Sequence, residues 1–270
     1  MDTRGRGDTP AFDRAAFGAA LATCRLGRTL VARAVAGSTN DVAWEALAAG
    51  APDGTAVVAD AQTSGRGRNG RRWHHAPGRA LALSVLLHPG GAARPLPALP
   101  LVAGLALARA LDGLGARVEL KWPNDLLLGG RKVSGILAEG RAAAGGTAAV
   151  LGVGVNVGQS AEDFPPELRA TATSLAEHGV RAGREAVAAA FLNAFEPLWD
   201  ELLEGGRAEL LTRWRARAGF WGRAVRVRAP GGEIAGVARD LDAEGGLVVE
   251  VAGGARVTVL AGDVAVEEGA

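Results

Sequence analysis

Four arginines and three glycines crowd into SGRGRNGRRW, residues 64–73, with no acidic residue among them. In a glycine-rich turn, successive backbone N–H groups can converge on one anion. Guanidinium groups add forked donors matched to a carboxylate or a phosphate. Gly65, Gly67 and Gly70 permit positive φ and close approach of the backbone to a ligand. The stretch follows an apolar segment, TAVVAD (55–60), which puts it where binding loops sit on a rigid sheet. A solvated basic loop, or an arginine–glycine segment gripping RNA, has the same composition. The stretch by itself does not decide between them.

Four further pieces place polar groups or glycines at informative points. In KWPNDLLL (121–128), Lys121 ends an apolar run, and Pro123 forces an extended entry into a turn at Asn124 and Asp125. A lysine there is a point charge able to steer a carboxylate or phosphate oxygen; a plain turn capped by Asn124 and Asp125 uses the same residues. In RKVSGILAEG (131–140), Gly135 interrupts a strand pattern, which marks either a bulge or a close approach to the backbone. GVGVNVG (152–158) alternates glycine with valine and leaves one strand face almost bare, for a flat ligand or a closely packed helix. GSTN (37–40) offers Ser38 or Thr39 as a helix N-cap. No GxxxxGK[ST], GxSxG, HExxH or kinase signature occurs, and the four histidines show no triad or metal spacing.

The elements that must position these residues follow the hydrophobic period. Helices are expected over 11–24, from Ser38 to Gly50, over 96–114, 184–204 and 207–218, the fourth interrupted or bent at Pro197. Strands are expected at 29–36, 55–60, 80–88, 116–122, 125–128, 132–140 and 147–158. Glycine pairs at Gly129–Gly130 and Gly145–Gly146 make the last four antiparallel neighbours. Residues 161–183 read as an irregular connection. From Gly222 five short alternating segments with regular glycine turns predict a small antiparallel barrel. The fold class is therefore α+β, with a mixed or antiparallel sheet covered by helices. Residues 1–10 are expected to be a disordered N-terminus, 11–221 the main domain and 222–270 a second one.

The 270 residues, 48% of them hydrophobic, suffice for a sizeable core. Thirty basic against twenty-nine acidic residues argue against a general nucleic-acid coat. One cysteine, Cys24, excludes an intramolecular disulfide, and no Cys/His cluster suggests zinc. No signal peptide is recognisable, and the apolar run at 96–108 looks too short to span a bilayer. A soluble cytoplasmic protein without a membrane partner is expected.

Taken in order, GSTN, AQTSGRGRNGRRW, KWPNDLL, KVSGILAE, GVGVNV and ATSL closely resemble the biotin protein ligases. The resemblance spans about residues 30–265, and the C-terminal segment is similar to that family's SH3-like domain. It implies a class II synthetase-like catalytic domain and a two-step reaction. Biotin's carboxylate attacks the α-phosphate of Mg-ATP to give biotinyl-5′-adenylate and pyrophosphate. A lysine of a biotin carboxyl carrier domain then attacks the mixed anhydride and releases AMP.

By matching position, the resemblance implies that Ser38, Thr39 and Gln62 bind biotin's polar groups, with Asn40 nearby. Arg66, Gly67 and Arg68 close over the carboxylate and the adenylate phosphate, and Gly135 admits biotin to the strand backbone. Lys121 bridges carboxylate and α-phosphate and, with Arg68, is the expected catalytic group. Trp73 packs beneath the loop on the nucleotide side, where Asn124, Lys132 and Asn156 are also placed. Asp125 contacts magnesium-bound phosphates or caps its turn. ATP with Mg2+ and biotin are the implied substrates, without a tightly bound protein metal. The implied partner is the carrier domain of a biotin-dependent carboxylase. Only 37 residues precede Ser38, so the form without a DNA-binding domain is expected, as monomer or homodimer. A lipoate or octanoate ligase is the nearest rival expectation.

Overall fold

The computed structural model describes residues 11–88, 96–143 and 146–267. Residues 1–10, expected to be disordered, and Gly145 of the expected turn lie outside the described residues. In chain order the elements are α1 (Arg14–Ala20), β1 (Leu30–Ala36), α2 (Thr39–Ala48), β2 (Ala56–Gln62), β3 (Ala80–Leu87), α3 (Leu99–Gly113), β4 (Glu119–Lys121), β5 (Asp125–Leu128), β6 (Arg131–Ala143) and β7 (Gly146–Asn156). Then come α4 (Arg184–Leu203), α5 (Arg207–Arg215), β8 (Ala224–Ala229), β9 (Gly232–Leu241), β10 (Leu247–Glu250), β11 (Arg256–Val259) and β12 (Asp263–Val266).

The first seven strands form one sheet in the order β1-β2-β3-β7-β6-β5-β4. β1 and β2 run parallel, joined by α2 as a crossover; every other neighbouring pair is antiparallel. Both faces are covered, which is why β3 reads ALALSVLL without alternation. Leu81, Leu83, Val85 and Leu87 point into the large core, shared with the helices α1, α3, α4 and α5. Leu86 points the other way, into a smaller cluster with Ala43 and Trp44 of α2, Val57, Ala148 and Val150. Ser84, fully buried, is the one polar side chain in that strand.

Two helices differ from expectation. α4 is continuous through Pro197 rather than interrupted. Phe191, Phe195, Leu198, Trp199 and Leu202 are all buried along it, with Phe191 and Phe195 stacked at 5.3 Å. Packing thus outweighs the backbone bond that proline removes. The segment Leu96–Gly113 is long and apolar enough by composition to cross a membrane, although the sequence suggested otherwise. It is 67% buried inside the fold and packs on α4 as a core helix.

The expected C-terminal barrel is not closed. β8 to β12 form an open antiparallel sheet in the order β11-β10-β9-β8-β12, with no ladder between β11 and β12. Its apolar face has no need to close on itself, because Val225, Val227, Leu247, Val249 and Val264 belong to the same core as α3 and α5. The Trp122 indole N–H donates to the Gly245 carbonyl at 2.9 Å across this junction.

Candidate active site

Register across the sheet assembles the site. Ala82 pairs with Gly154, Gly154 with Gly135, Gly135 with Asp125 and Asp125 with Lys121. These five residues, on five adjacent strands, form one transverse row on the face that α2 covers further along. Side chains in register share a face, so residues far apart in sequence meet. A register shift in the β5–β6 ladder skips Val133, which turns into the core; Lys132, beyond it, then returns to the row's face opposite Leu127. Re-aiming a side chain is what a bulge does, but here it falls at Val133 and not at Gly135.

The two glycines of the row are bare because Trp73 lies on them. A Cβ at Gly154 would sit 2.5 Å from Trp73 Cε2, and one at Gly135 would sit 3.1 Å from Cζ3. Gly152, one row over, is bare for Asn40, whose Oδ1 would be 2.4 Å from a Cβ there. The glycine–valine alternation of β7 thus serves closely packed protein side chains. The Trp73 indole nitrogen is buried without a hydrogen-bond partner.

Above the row the arginine stretch forms a hairpin. Arg66 bridges to Arg72, Gly67 N–H donates to Arg71 O at 2.7 Å, and Trp73 N–H donates to Gly65 O at 2.9 Å. Asn69 (φ 55°) and Gly70 (φ 73°) form the tip, the residue pair that a two-residue hairpin turn with two positive φ angles demands. The hairpin's side chains then diverge. Arg68 Nη1 donates to Asn124 Oδ1 and to the Gly262 carbonyl, each at 3.2 Å, and burial pulls its pKa below the usual arginine range. Arg71 pairs with Asp263 at 2.8 Å. Arg66 faces Asp41 at 2.6 Å and Glu139 at 3.1 Å. The hydrogen bond that Arg66 donates to Asp41, foremost, raises its pKa.

At the N-terminus of α2, Ser38 is the cap, its Oγ accepting from Asn40 N–H at 3.3 Å. Gln62 Oε1 accepts from Thr39 N–H at 2.8 Å, which fixes that side chain at the edge of the cavity it lines. The Ser84 hydroxyl lies 2.7 Å from both Thr39 Oγ1 and Asn40 Oδ1, while Asn40 Nδ2 is buried and unpartnered. Asn124 holds its turn by donating from Nδ2 to Ile136 O at 2.7 Å. Lys132 Nζ pairs with Asp125 at 2.6 Å, and Lys121 Nζ has no hydrogen-bond or ion-pair partner among the described residues.

These groups line one cavity of about 470 Å³, within the range of small-molecule sites. The structure brings together Ser38, Thr39, Asn40, Gln62, Arg66, Gly67, Arg68, Trp73, Lys121, Asn124, Asp125, Lys132, Gly135 and Asn156. Six arginine and lysine side chains face two carboxylates, Asp125 and Asp263, so the lining favours an anion. Asn156 is buried and donates to Thr173 O at 2.9 Å while accepting from Gln159 at 2.9 Å. Its amide is thus committed to protein partners. Sequence reasoning missed Ser84, which lies behind the lining and holds Thr39 and Asn40, as well as Asp263 and the wall formed by Phe164, Leu168 and Thr171. A lone serine in an apolar strand was a visible signal for the first. Asp263 and the wall lack any local periodicity that would reveal them. Among the described residues no group of three His, Cys, Asp or Glu side chains is arranged to hold a metal.

Residues 32–156 match the biotin/lipoate A/B protein ligase family, and residues 220–266 match the biotin protein ligase C-terminal domain. The chain belongs to the biotin protein ligase family. It is 39% identical over 247 residues to the biotin–[acetyl-CoA-carboxylase] ligase of Mycobacterium tuberculosis, covering 88% of each chain. It is 36% identical to the bifunctional ligase/repressor BirA of Bacillus spizizenii, over 85% of this chain and 72% of that one. The biotin protein ligase of Aquifex aeolicus in complex with biotin and ATP superposes with a TM-score of 0.73 at 28% identity, covering 90% of this chain and all of that one.

Proposed function

We propose that the cavity carries the ATP-dependent attachment of biotin to a lysine of a carboxylase carrier domain, through biotinyl-5′-adenylate. The observation that carries this reading is the transverse row ending in Lys121 beneath a hairpin that presents Arg68. It puts cations where a carboxylate and a polyphosphate, which repel each other, have to meet. The amides and hydroxyls around Thr39 and Gln62 take the polar ring end of biotin, whereas Gly135, expected to admit biotin to the strand, is covered by Trp73.

In the first step a carboxylate oxygen attacks the α-phosphorus and the bond to pyrophosphate breaks. The carboxylate is already ionised at neutral pH, so orientation and charge stabilisation supply the acceleration rather than a base. Arg68 and Lys121 stabilise the charge that builds on the phosphate. In the second step the carrier's lysine nitrogen attacks the acyl carbon, the anhydride C–O bond breaks, and AMP departs as the amine loses its proton. The hairpin covers the labile adenylate against water. Magnesium bound to the nucleotide would neutralise phosphate charge. Asp125, in the lining beside Lys132, is the carboxylate that would touch it.

Biotin-dependent exchange of labelled pyrophosphate into ATP tests the first half-reaction, with lipoic acid and octanoate in parallel. Exchange with biotin alone is expected. Exchange with lipoic acid or octanoate instead would move the chain to the lipoate branch of its family, and none with any acid would overturn the reading.

A further inference from the structure

Arg66 is the hairpin arginine with two carboxylates on it. Its Nη1 lies 2.6 Å from Asp41, in the first turn of α2, and its Nη2 lies 3.1 Å from Glu139 on β6. Glu139 in turn accepts a hydrogen bond from the Trp44 indole N–H at 2.9 Å. The guanidinium of Arg141, two residues along the same strand, lies 4.3 Å from the Trp44 ring centroid. One carboxylate therefore ties the hairpin to β6 and to the helix whose N-terminus carries Thr39 and Asn40.

Charge balance separates Arg66 from the other cations of the cavity. One guanidinium between two carboxylates leaves a negative cluster, which repels an incoming substrate carboxylate. Arg68 binds only an amide and a carbonyl, and Lys121 faces no carboxylate within ion-pair distance among the described residues, so both keep their charge for a ligand. The hairpin also stands off β6: a second cavity of about 590 Å³ lies between residues 64–72 and Leu137–Glu139. Apolar packing does not seat the loop there; the Arg66 bridge spans the gap.

We propose that the Arg66 side chain is a strut rather than a substrate ligand, and that Glu139, assisted by Asp41, is a positioning residue that seats the β6 side of the hairpin over the cavity. The consequence for turnover rests on the biotin reading above; the consequence for the loop does not.

The test uses the full chain with Glu139→Gln, which keeps an acceptor for Trp44 and removes the charge, and with Asp41→Asn at an exposed position. Limited trypsin digestion followed by mass spectrometry gives the rate of cutting after Arg66 and Arg68 relative to sites outside the loop. Exposed ion pairs are weak, so about a three- to tenfold faster loop cut is expected in Glu139→Gln and a smaller gain in Asp41→Asn. In pyrophosphate exchange the KM for biotin should rise, by less than the cutting ratio, with kcat little changed, because cutting follows the unseated fraction and binding the seated one. If Arg66 were instead a substrate ligand, removing its competitor would free it and lower the KM. Unchanged cutting or a lowered KM overturns the proposal. Should no acid support exchange in the parent protein, the functional reading fails, while the cutting ratio still decides the strut.

Discussion

Lys121 and Lys132 show how neighbouring residues of one type acquire different work. Both amines line the cavity, but Lys132 is spent on Asp125 at 2.6 Å, whereas Lys121 has no pair among the described residues. Lys121→Met is expected to lower adenylate formation by about 10²–10³ with the fold intact, the scale of a lost preorganised charge donor. Lys132→Met also strands the Asp125 carboxylate, so it should lower thermal stability as well as rate. Single-turnover adenylate formation and thermal unfolding on the two variants separate these outcomes; near-normal turnover in Lys121→Met would remove Lys121 from the mechanism. The residue types were legible from KWPND and KVSG only within the ordered set of motifs, because a lysine at a strand end by itself equally suits a solvated turn. Their pairing was not legible, since it depends on the β5–β6 register shift. Trp73 was expected beneath the loop, and its seat on Gly135 and Gly154 explains two glycines that the sequence left open.

At the scale of elements, α4 does more than cover the sheet. Glu196, buried on it, accepts from the backbone N–H groups of Cys24, Arg25 and Leu26 at 2.6, 2.8 and 2.8 Å and holds the turn between α1 and β1. Burial pushes its carboxyl up, but the three N–H donors outweigh that and leave it below the usual glutamate range. A carboxyl depressed in the folded state stabilises fully above its unfolded pKa, and the benefit is lost as pH falls through the folded value. Glu196→Gln should therefore cost about 1–3 kcal/mol near pH 7. Urea titrations should show the gap to the parent protein narrowing as the pH drops below about 4. A gap independent of pH would mean that the charge is not what holds the turn. The helix itself was readable from its period, whereas its continuity through Pro197 comes from aromatic packing that local propensity does not contain.

Over the whole molecule, the second sheet behaves as part of one body. Its inward valines and leucines share a continuous core with α3 and α5, and Gly262 and Asp263 hold the tip of the arginine hairpin. Calorimetry of the full chain is expected to give a single unfolding transition, with calorimetric and van't Hoff enthalpies equal. Two resolved transitions would show that the sheet folds independently of the cavity it borders. The turn spacing after Gly222 predicted five short strands, and five are present. The closed barrel did not follow, because an apolar face on a short strand says that it will be covered and not by what.

The sequence by itself determined most strand and helix positions and the ordered motifs that mark the family. Those are local properties: a hydrophobic period, a glycine pair in a turn such as Gly129–Gly130, or a residue type at a strand end. Only the tertiary structure decided which cations are free for a ligand. Arg66 meets Glu139 73 positions away, and Arg68 meets Gly262 across 194. Such pairs are set by sheet register and by the docking of one sheet on another, and charge pairing at that separation leaves no period in the chain.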